Sequence, residues 1–230
     1  MTDYTKKPAN VNKRFTWSYS RYNLFNKCKT AFNMYVHRKD FKLPAFKTNP
    51  AMERGNMIHK KAEEYVKGNI TGVPKEMQCF SAEFKNLVKH KAVAEQDWWI
   101  NDKWEQVDYL DWNNVWLMVK SDAHVIMDDS AIIIDYKTGK VYDSHEKQAE
   151  LYAVAALSIF DSVESVETEF WYLDQQEISP YYYEKPDLIY YRELWDERAV
   201  EMQQQKTFDP SPSFTNCNWC EFKSVCEFSI

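Results

Sequence analysis

The chain contains little glycine and no long hydrophobic run. Only 4 of its 230 residues are glycine, while hydrophobic residues make up 44% and charged residues 28%. This composition excludes fibrous and disordered classes and predicts one globular domain with a substantial core. The N-terminal lysines precede no apolar segment, and no run is long enough to span a bilayer, so we expect a cytoplasmic protein.

Cysteine is also scarce, and its number is odd. Five cysteines are too few for a secreted disulfide scaffold of this length. Cys217, Cys220 and Cys226 lie close together near the C-terminus, Cys28 lies near the start, and Cys79 stands apart. The three clustered thiolates could share one metal centre if a fourth ligand joined them. Zinc and an iron–sulfur cluster are both compatible with this spacing.

The net charge of -6 conceals an uneven distribution along the chain. Residues 1–70 carry 15 Lys and Arg against 5 Asp and Glu, whereas residues 71–230 carry 14 against 30. Such asymmetry suggests one surface that could follow the phosphates of a nucleic acid and another that stays acidic. Ordinary solvated lysines are an equally simple explanation of the charge alone.

Periodicity and turn signals predict helices, then a hairpin, a helix, further strands and a last helix. The predicted helices cover 17–40, 50–66, 81–94, 144–160 and 187–206, and the predicted strands cover 97–101, 115–127, 131–139, 166–173 and 179–184. This order is typical of an α/β fold with a central mixed sheet flanked by helices.

The hairpin brings two acids together. With a turn at residues 128 and 129, Asp122 lies opposite Asp135 across the ladder, about 5 Å away between β-carbons. Like charges in opposed positions are unfavourable, so the pair indicates a hard divalent cation between them. The period of a strand places Lys137 on the same side as Asp135. Two carboxylates, a metal and a lysine suit phosphodiester hydrolysis, although a surface hairpin with an Asp–Lys pair fits the same residues.

Two flanking helices carry further candidates. Gly55 and His59 are four residues apart on the predicted helix 50–66, and Gln148 and Tyr152 are four apart on the helix after the hairpin. Taken alone, each pair is an ordinary helix face.

In kind and order, GNMIH, SDAHVIM, IDYKTGK and QAELY resemble the nuclease core of the PD-(D/E)xK superfamily, particularly its RecB-like branch. That branch has the pattern G-x-x-x-H, D, D/E-x-K and Q-x-x-x-Y. The resemblance runs from about Trp17 to Cys226 and implies a restriction-endonuclease-like core in a single domain, 1–230.

The resemblance also implies a role for each motif residue. Mg or Mn would be held by His59, Asp122, Asp135 and the backbone carbonyl of Tyr136. Lys137 would position the attacking water, and Gln148 and Tyr152 would support the site or contact the scissile strand.

One group within that branch, which includes the AddB nuclease domain and the CRISPR adaptation exonucleases, closes its chain ends with an iron–sulfur cluster. It takes one cysteine before the core and three after it. By this resemblance a 4Fe-4S cluster would be held by Cys28, Cys217, Cys220 and Cys226, with zinc as the alternative. Segments 1–49 and 205–230 would form a clasp around the core, and Cys79 would be a free thiol. Lys29 departs from the proline that often follows the first cysteine.

The function expected from the resemblance is a metal-dependent DNA exonuclease. It would act on single-stranded or frayed DNA ends in recombination, repair or DNA processing. The small, freestanding format also resembles the exonucleases encoded by phages and by CRISPR adaptation loci. If the chain is phage-encoded, its location is the host cytoplasm. A structure-specific endonuclease and a non-catalytic iron–sulfur or zinc nucleic-acid-binding module are the alternatives. Aromatic pairs such as Trp98 with Trp99 could stack on bases, but core packing explains most of them.

Overall fold

A computed structural model describes residues 15–37, 40–43, 50–140 and 144–230. Within these ranges the chain forms seven α-helices and five β-strands, with two short 3-10 helices at Lys75–Phe80 and Lys185–Asp187. The helices are α1 (Tyr19–Lys27), α2 (Lys29–Val36), α3 (Pro50–Val66), α4 (Ser81–Lys89), α5 (Ser144–Ile159), α6 (Leu188–Gln204) and α7 (Phe214–Asn218). The strands are β1 (Val93–Ile100), β2 (Leu117–Ile126), β3 (Ser130–Lys137), β4 (Ser165–Tyr172) and β5 (Glu177–Glu184).

The chain divides into two compact units. One comprises residues 48–194, and the other combines 1–47 with 195–230. The polar leader and part of the predicted clasp segment 1–49 lie outside the described residues. The single domain over 1–230, with its clasp segments, stays a prediction. None of the described helices is long and apolar enough to cross a membrane.

The central unit is built on a mixed sheet with the strand order β1-β2-β3-β4-β5. β3 and β4 are parallel, and the other neighbours are antiparallel. A parallel pair needs a long crossover, which α5 provides between β3 and β4. The predicted mixed α/β architecture is confirmed.

The predicted hairpin has the predicted register. Met127 N–H donates to the Ser130 carbonyl at 2.8 Å across a two-residue turn. The paired stretch then runs from Ile126 opposite Ala131 to Ala123 opposite Ile134. At the next position Asp122 falls opposite Asp135, as the sequence predicts.

Helices α3 and α4 cover one face of the sheet. Their apolar residues pack in one core cluster with residues of four strands, and the cluster includes Ile58, Ala62, Phe84, Ala94, Ala123, Ile134, Tyr136 and Trp171. Aromatic contacts tie the layers together: Phe84 lies 5.2 Å from both Tyr136 and Trp171 between ring centroids. Trp98 is buried, so this predicted stacking candidate is a core residue.

The predicted helix 81–94 is too long. α4 ends at Lys89, and Ala92 N–H turns back to the Leu87 carbonyl at 2.9 Å, with Lys91 at a φ of 55°. A left-handed residue ends a helix, so strand β1 begins at Val93, four residues earlier than predicted. The earlier start brings Glu95 into the sheet.

In the terminal unit, the single helix predicted over 17–40 is divided at Cys28. This residue has extended backbone, with a φ of -160°, and serves as both the end of α1 and the cap of α2. Downstream, buried Thr30 donates to the Phe208 carbonyl at 2.5 Å. Trp17 stacks on Trp195 with ring centroids 5.7 Å apart. N-terminal and C-terminal segments therefore share the core of this unit.

Candidate active site

Three acids occupy neighbouring positions on three adjacent strands. Because Ala94 pairs with Ala123, and Ala123 with Ile134, the next position along each strand is an acid: Glu95 on β1, Asp122 on β2 and Asp135 on β3. Carboxylates so arranged repel one another unless cations compensate them. Each of the three has a basic partner.

Asp122 lies where β2 and β3 stop pairing. Its Oδ2 accepts the backbone N–H of Tyr136 at 2.7 Å, and its Oδ1 lies 3.1 Å from His59 Nδ1. The carboxylate thus takes the place of a main-chain acceptor for Tyr136. Burial, followed by the charge of Asp135, raises the pKa of Asp122, and the hydrogen bonds from His59 and Tyr136 offset this only in part.

His59 reaches Asp122 because α3 lies close to the end of β3. A β-carbon at Gly55, one turn before His59, would lie 3.0 Å from Thr138 Oγ1. This contact is tighter than usual and would require Thr138 or α3 to shift by a few tenths of an ångström, so glycine suits the close approach and gives the G-x-x-x-H spacing a structural reason.

The imidazole of His59 is the charge partner of Asp122. Burial alone lowers the pKa of His59, but the hydrogen bond and charge of Asp122, with the charges of Asp135 and Glu95, outweigh it and raise the pKa. In the absence of a metal, the acids therefore favour the imidazolium form.

Asp135 belongs to a closed network with β3 and α5. Its carboxylate is buried, with Oδ1 2.6 Å from Lys137 Nζ. Its Oδ2 accepts from Gln148 Nε2 at 3.0 Å and from the Tyr152 hydroxyl at 2.8 Å. Lys137 Nζ also donates to Gln148 Oε1 at 3.2 Å. A buried carboxylate with an ion pair and two hydrogen bonds is well compensated.

The tyrosine of this network is a donor at neutral pH. Burial, followed by the charge of Asp135, raises the pKa of Tyr152 well above its ordinary value. The phenol therefore stays protonated, and its hydroxyl donates a hydrogen bond to the Asp135 carboxylate. The structure thus brings together Asp135, Lys137, Gln148 and Tyr152, whose catalytic roles stay predictions.

The predicted metal ligands are gathered only in part. Among the described residues, one group of potential ligand atoms lies within 4.8 Å of one another, and it comprises His59, Glu95 and Asp122. Asp135 is outside that group because Lys137 and the donors of α5 hold its carboxylate. Tyr136 contacts Asp122 through its N–H, and the role of its carbonyl as a ligand stays a prediction.

Glu95 was not among the residues predicted from the sequence. It falls between the predicted helix 81–94 and the predicted strand 97–101, and its place opposite Asp122 depends on a strand pairing that no local pattern reveals. Its φ of 55° is unusual for a side chain inside a strand and costs about 1–2 kcal/mol. Its carboxylate pairs with Lys120, with Nζ and Oε2 2.5 Å apart.

The four predicted cluster cysteines all belong to the terminal unit. Cys28, Cys220 and Cys226 pack against an apolar cluster of Ala31, Met34 and Phe222. Burial and then the charges of Cys226, Cys28 and Cys217 raise the pKa of Cys220.

These cysteines do not form a compact ligand set. Across the described ranges, no three of the sulfurs lie within 4.8 Å of one another, whereas tetrahedral zinc with Zn–S bonds of about 2.3 Å spaces its sulfurs about 3.8 Å apart. Neither zinc nor an iron–sulfur cluster is shown by this arrangement. Cys79, in the central unit, is exposed and donates to the Leu173 carbonyl at 3.6 Å.

Comparison with known proteins gives a match to one family model and similarities to solved structures. The model of the PD-(D/E)XK nuclease superfamily matches residues 16–117 and 118–227. The crystal structure of SSO0001 shares the fold with a TM-score of 0.50 and 18% identity, covering 96% of this chain and 91% of that one. A structure from Eubacterium rectale, provisionally designated an exonuclease, has a TM-score of 0.46 and 10% identity, covering 91% and 87%.

No curated protein matches the sequence. The family model nevertheless covers almost the whole chain, including the residues of β2, β3, α3 and α5 that form the site. Phosphodiester hydrolysis with divalent metals is the chemistry of that superfamily. The chain belongs to the PD-(D/E)XK nuclease superfamily.

Proposed function

We propose that this protein is a Mg- or Mn-dependent deoxyribonuclease that acts as an exonuclease on DNA ends. The observation that carries the proposal is the pairing of Lys137 with Asp135 at 2.6 Å, one strand away from the His59–Asp122 pair. Two acids, a histidine and a lysine supply the side chains that metal-assisted hydrolysis requires.

The donor atoms suit a hard divalent cation. A carboxylate offers about four lone-pair positions, and Asp122 uses one on each oxygen, for His59 and for Tyr136 N–H. Asp135 uses one position on Oδ1 and two on Oδ2. Asp122, Asp135, His59 and the Tyr136 carbonyl are therefore the proposed ligands. A cation bound there would polarise the scissile phosphate and lower the pKa of a bound water.

Lys137 is the proposed catalytic cation of the chain itself. Its ammonium is held by Asp135 and Gln148 and lies 5.1 Å from the centroid of the Phe170 ring. Three contacts on different elements fix a side chain that would otherwise be flexible. From this position Lys137 orients the attacking water and balances charge on the phosphate.

Gln148 and Tyr152 act as positioning residues. Both donate to Oδ2 of Asp135, and Gln148 Nε2 also donates to the Tyr152 hydroxyl at 2.9 Å. Their hydrogen bonds fix the carboxylate and, through it, the ammonium of Lys137. This role requires no contact with the scissile strand, which is the alternative role implied by the resemblance.

DNA is the proposed partner. The net positive charge of residues 1–70 favours contacts with the phosphates of DNA. The preference for single-stranded or frayed ends, and a role in recombination, repair or DNA processing, rest on the resemblance to RecB-like exonucleases. Residues 71–230 carry a net negative charge, which would repel DNA, so we expect DNA to bind to only part of the protein surface.

The test uses two DNA topologies with Mg or Mn: linear DNA labelled at its ends, and closed circular DNA. An exonuclease releases nucleotides from linear DNA and leaves the circle intact. Cleavage of the circle would indicate a structure-specific endonuclease, and binding without cleavage a non-catalytic module.

The first prediction concerns Lys137 in this assay. Lys137→Ala should abolish cleavage, because the variant lacks the ammonium held beside Asp135. Lys147→Ala, which removes an exposed lysine of α5, is the matched control and should cleave like the wild type. Wild-type activity in Lys137→Ala would contradict the proposed role.

We also propose that Cys28, Cys217, Cys220 and Cys226 hold a 4Fe-4S cluster, with zinc as the alternative. Two observations support the proposal. All four cysteines belong to the same compact unit, and the charges of the other three thiols raise the pKa of Cys220. Iron and sulfide atoms lie between the cysteines of such a cluster, so it spaces their sulfurs more widely than a single zinc ion does. Such a group would link residues distant in sequence and stabilise the unit.

A further inference from the structure

We propose that Glu95 is a further ligand of the active-site cation, and that Lys120 holds the Glu95 carboxylate when no metal is bound. The inference rests on the proposed function insofar as the cation is that of the nuclease site. It concerns a residue outside the four sequence motifs, on a strand that carries none of them.

The geometry points to a shared ligand set. The potential ligand atoms of Glu95, His59 and Asp122 all lie within 4.8 Å of one another, although they come from β1, α3 and β2. One nitrogen and carboxylate oxygens converging from three elements form a pocket for a divalent cation. Asp135, by contrast, is held by Lys137, Gln148 and Tyr152.

The backbone of β1 is specialised at this position. Glu95 is the one residue of the strand with a positive φ, at 55°. Regular pairing flanks it on both sides, since Ala94 lies opposite Ala123 and Gln96 opposite Ser121. A left-handed glutamate inside a ladder is unfavourable, and such residues are concentrated at functional sites.

The ion pair of Lys120 with Glu95 can open when a cation binds to the Glu95 carboxylate. The side chain of Lys120 is 58% exposed, whereas that of Glu95 is only 17% exposed. The ammonium can therefore move into water while the carboxylate stays in the site. An ion pair that only stabilised the fold would not need its carboxylate within 4.8 Å of the ligand atoms of His59 and Asp122.

Manganese binding to the purified full-length protein tests this directly. Free Mn²⁺ is measured by electron paramagnetic resonance as the protein is titrated, without DNA. Glu95→Gln removes the charge but keeps the shape, and should weaken Mn²⁺ binding about tenfold or more. Lys120→Met removes the competing ammonium, so its affinity should equal or exceed that of the wild type.

A matched control comes from another half-buried acid paired with lysine in the same unit. Glu76 lies 2.8 Å from Lys61 Nζ and has a side-chain exposure of 16%. Glu76→Gln should therefore leave the Mn²⁺ affinity unchanged. Thermal unfolding of each variant without metal reports whether the fold is intact.

Two outcomes overturn the inference: wild-type affinity in Glu95→Gln, or equal weakening by Glu95→Gln and Lys120→Met, which a merely structural pair would produce. Should Glu95→Gln fail to fold, a loss of affinity in Lys120→Met still refutes the role given to the lysine. Manganese binding that depends on Glu95 in a protein that cleaves no DNA would refute the proposed function alone. DNA cleavage with undiminished manganese affinity in Glu95→Gln would refute this inference alone.

Discussion

Replacing Asp122 by asparagine should make the metal-free protein more stable while abolishing its activity. The asparagine can preserve both contacts of the carboxylate. Its oxygen can accept the Tyr136 N–H, now bonded at 2.7 Å, and its amide can donate to His59 Nδ1, now 3.1 Å away. The substitution removes the negative charge beside Asp135 and also the charge that favours the imidazolium form of His59, so that the neutral imidazole can accept from the amide.

The magnitude follows from these contacts. Like charges at opposed positions of a sheet cost up to about 1 kcal/mol. For a chain of this size, removing that cost raises the unfolding midpoint by about 2–4 °C. Asp122→Ala removes the same charge but leaves the Tyr136 N–H without its acceptor, which costs about 1–3 kcal/mol. The alanine variant should therefore unfold several degrees below the asparagine variant.

The effect should depend on pH with a definite sign. Because the pKa of Asp122 is raised in the folded chain by burial and by Asp135, its ionised form destabilises the fold at pH values above the folded pKa. This cost disappears as the pH falls towards the unfolded value of about 4. Asp122→Asn should thus exceed the wild type in stability near neutral pH and match it at low pH.

The assay is thermal unfolding with and without Mn²⁺. At 100 times its dissociation constant, a ligand adds about 2.7 kcal/mol to the free energy of unfolding. Manganese should raise the midpoint of the wild type clearly and that of Asp122→Asn only slightly. Equal midpoints for the asparagine and alanine variants, or equal stabilisation of Asp122→Asn and wild type by Mn²⁺, would refute the reasoning.

Two further predictions concern the approach of α3 and the cysteines. Gly55→Ala should lower cleavage about tenfold or more, because its β-carbon would lie 3.0 Å from Thr138 Oγ1 and push α3 away. Asn56→Ala, an exposed neighbour, should have no such effect. Cys220→Ala should lose iron and the visible absorption of an iron–sulfur chromophore, whereas Cys79→Ala should keep both. Cleavage as fast in Gly55→Ala as in Asn56→Ala, or unchanged iron in Cys220→Ala, would count against these explanations.

The hairpin was predictable because its information is local. Two aspartates at residues 128 and 129 define a two-residue turn between two apolar runs, and the strand period then fixes the register over the next six residues. Asp122 and Asp135 must meet once the turn is known. The helix carrying Gly55 and His59 was equally clear from its spacing, and its bounds are confirmed.

Glu95 could not be predicted for two physical reasons. The alanines and lysines after α4 favour a longer helix, and only the left-handed Lys91 ends it early enough for β1 to include Glu95. Its alignment with Asp122 then depends on the pairing of strands separated by a long connection. No local pattern contains that register.

The division at Cys28 and the orientation of Asp135 depend on distant parts of the chain in a similar way. The Thr30 hydroxyl of α2 donates a hydrogen bond to the backbone carbonyl of Phe208, which is far away in sequence. The Asp135 carboxylate lies towards α5 because Gln148 and Tyr152 donate to it there. The sequence motif identifies Asp135, Gln148 and Tyr152, whereas the hydrogen bonds between their side chains determine how the Asp135 carboxylate is oriented.

Above all, we propose that His59, Asp122 and Asp135 hold the catalytic cation. Anomalous diffraction from a crystal soaked in Mn²⁺ tests it most directly. One anomalous peak is expected within coordination distance, about 2.0–2.4 Å, of His59 and of the carboxylates of Asp122 and Asp135. Manganese bound elsewhere, with no peak beside Asp122, would contradict it.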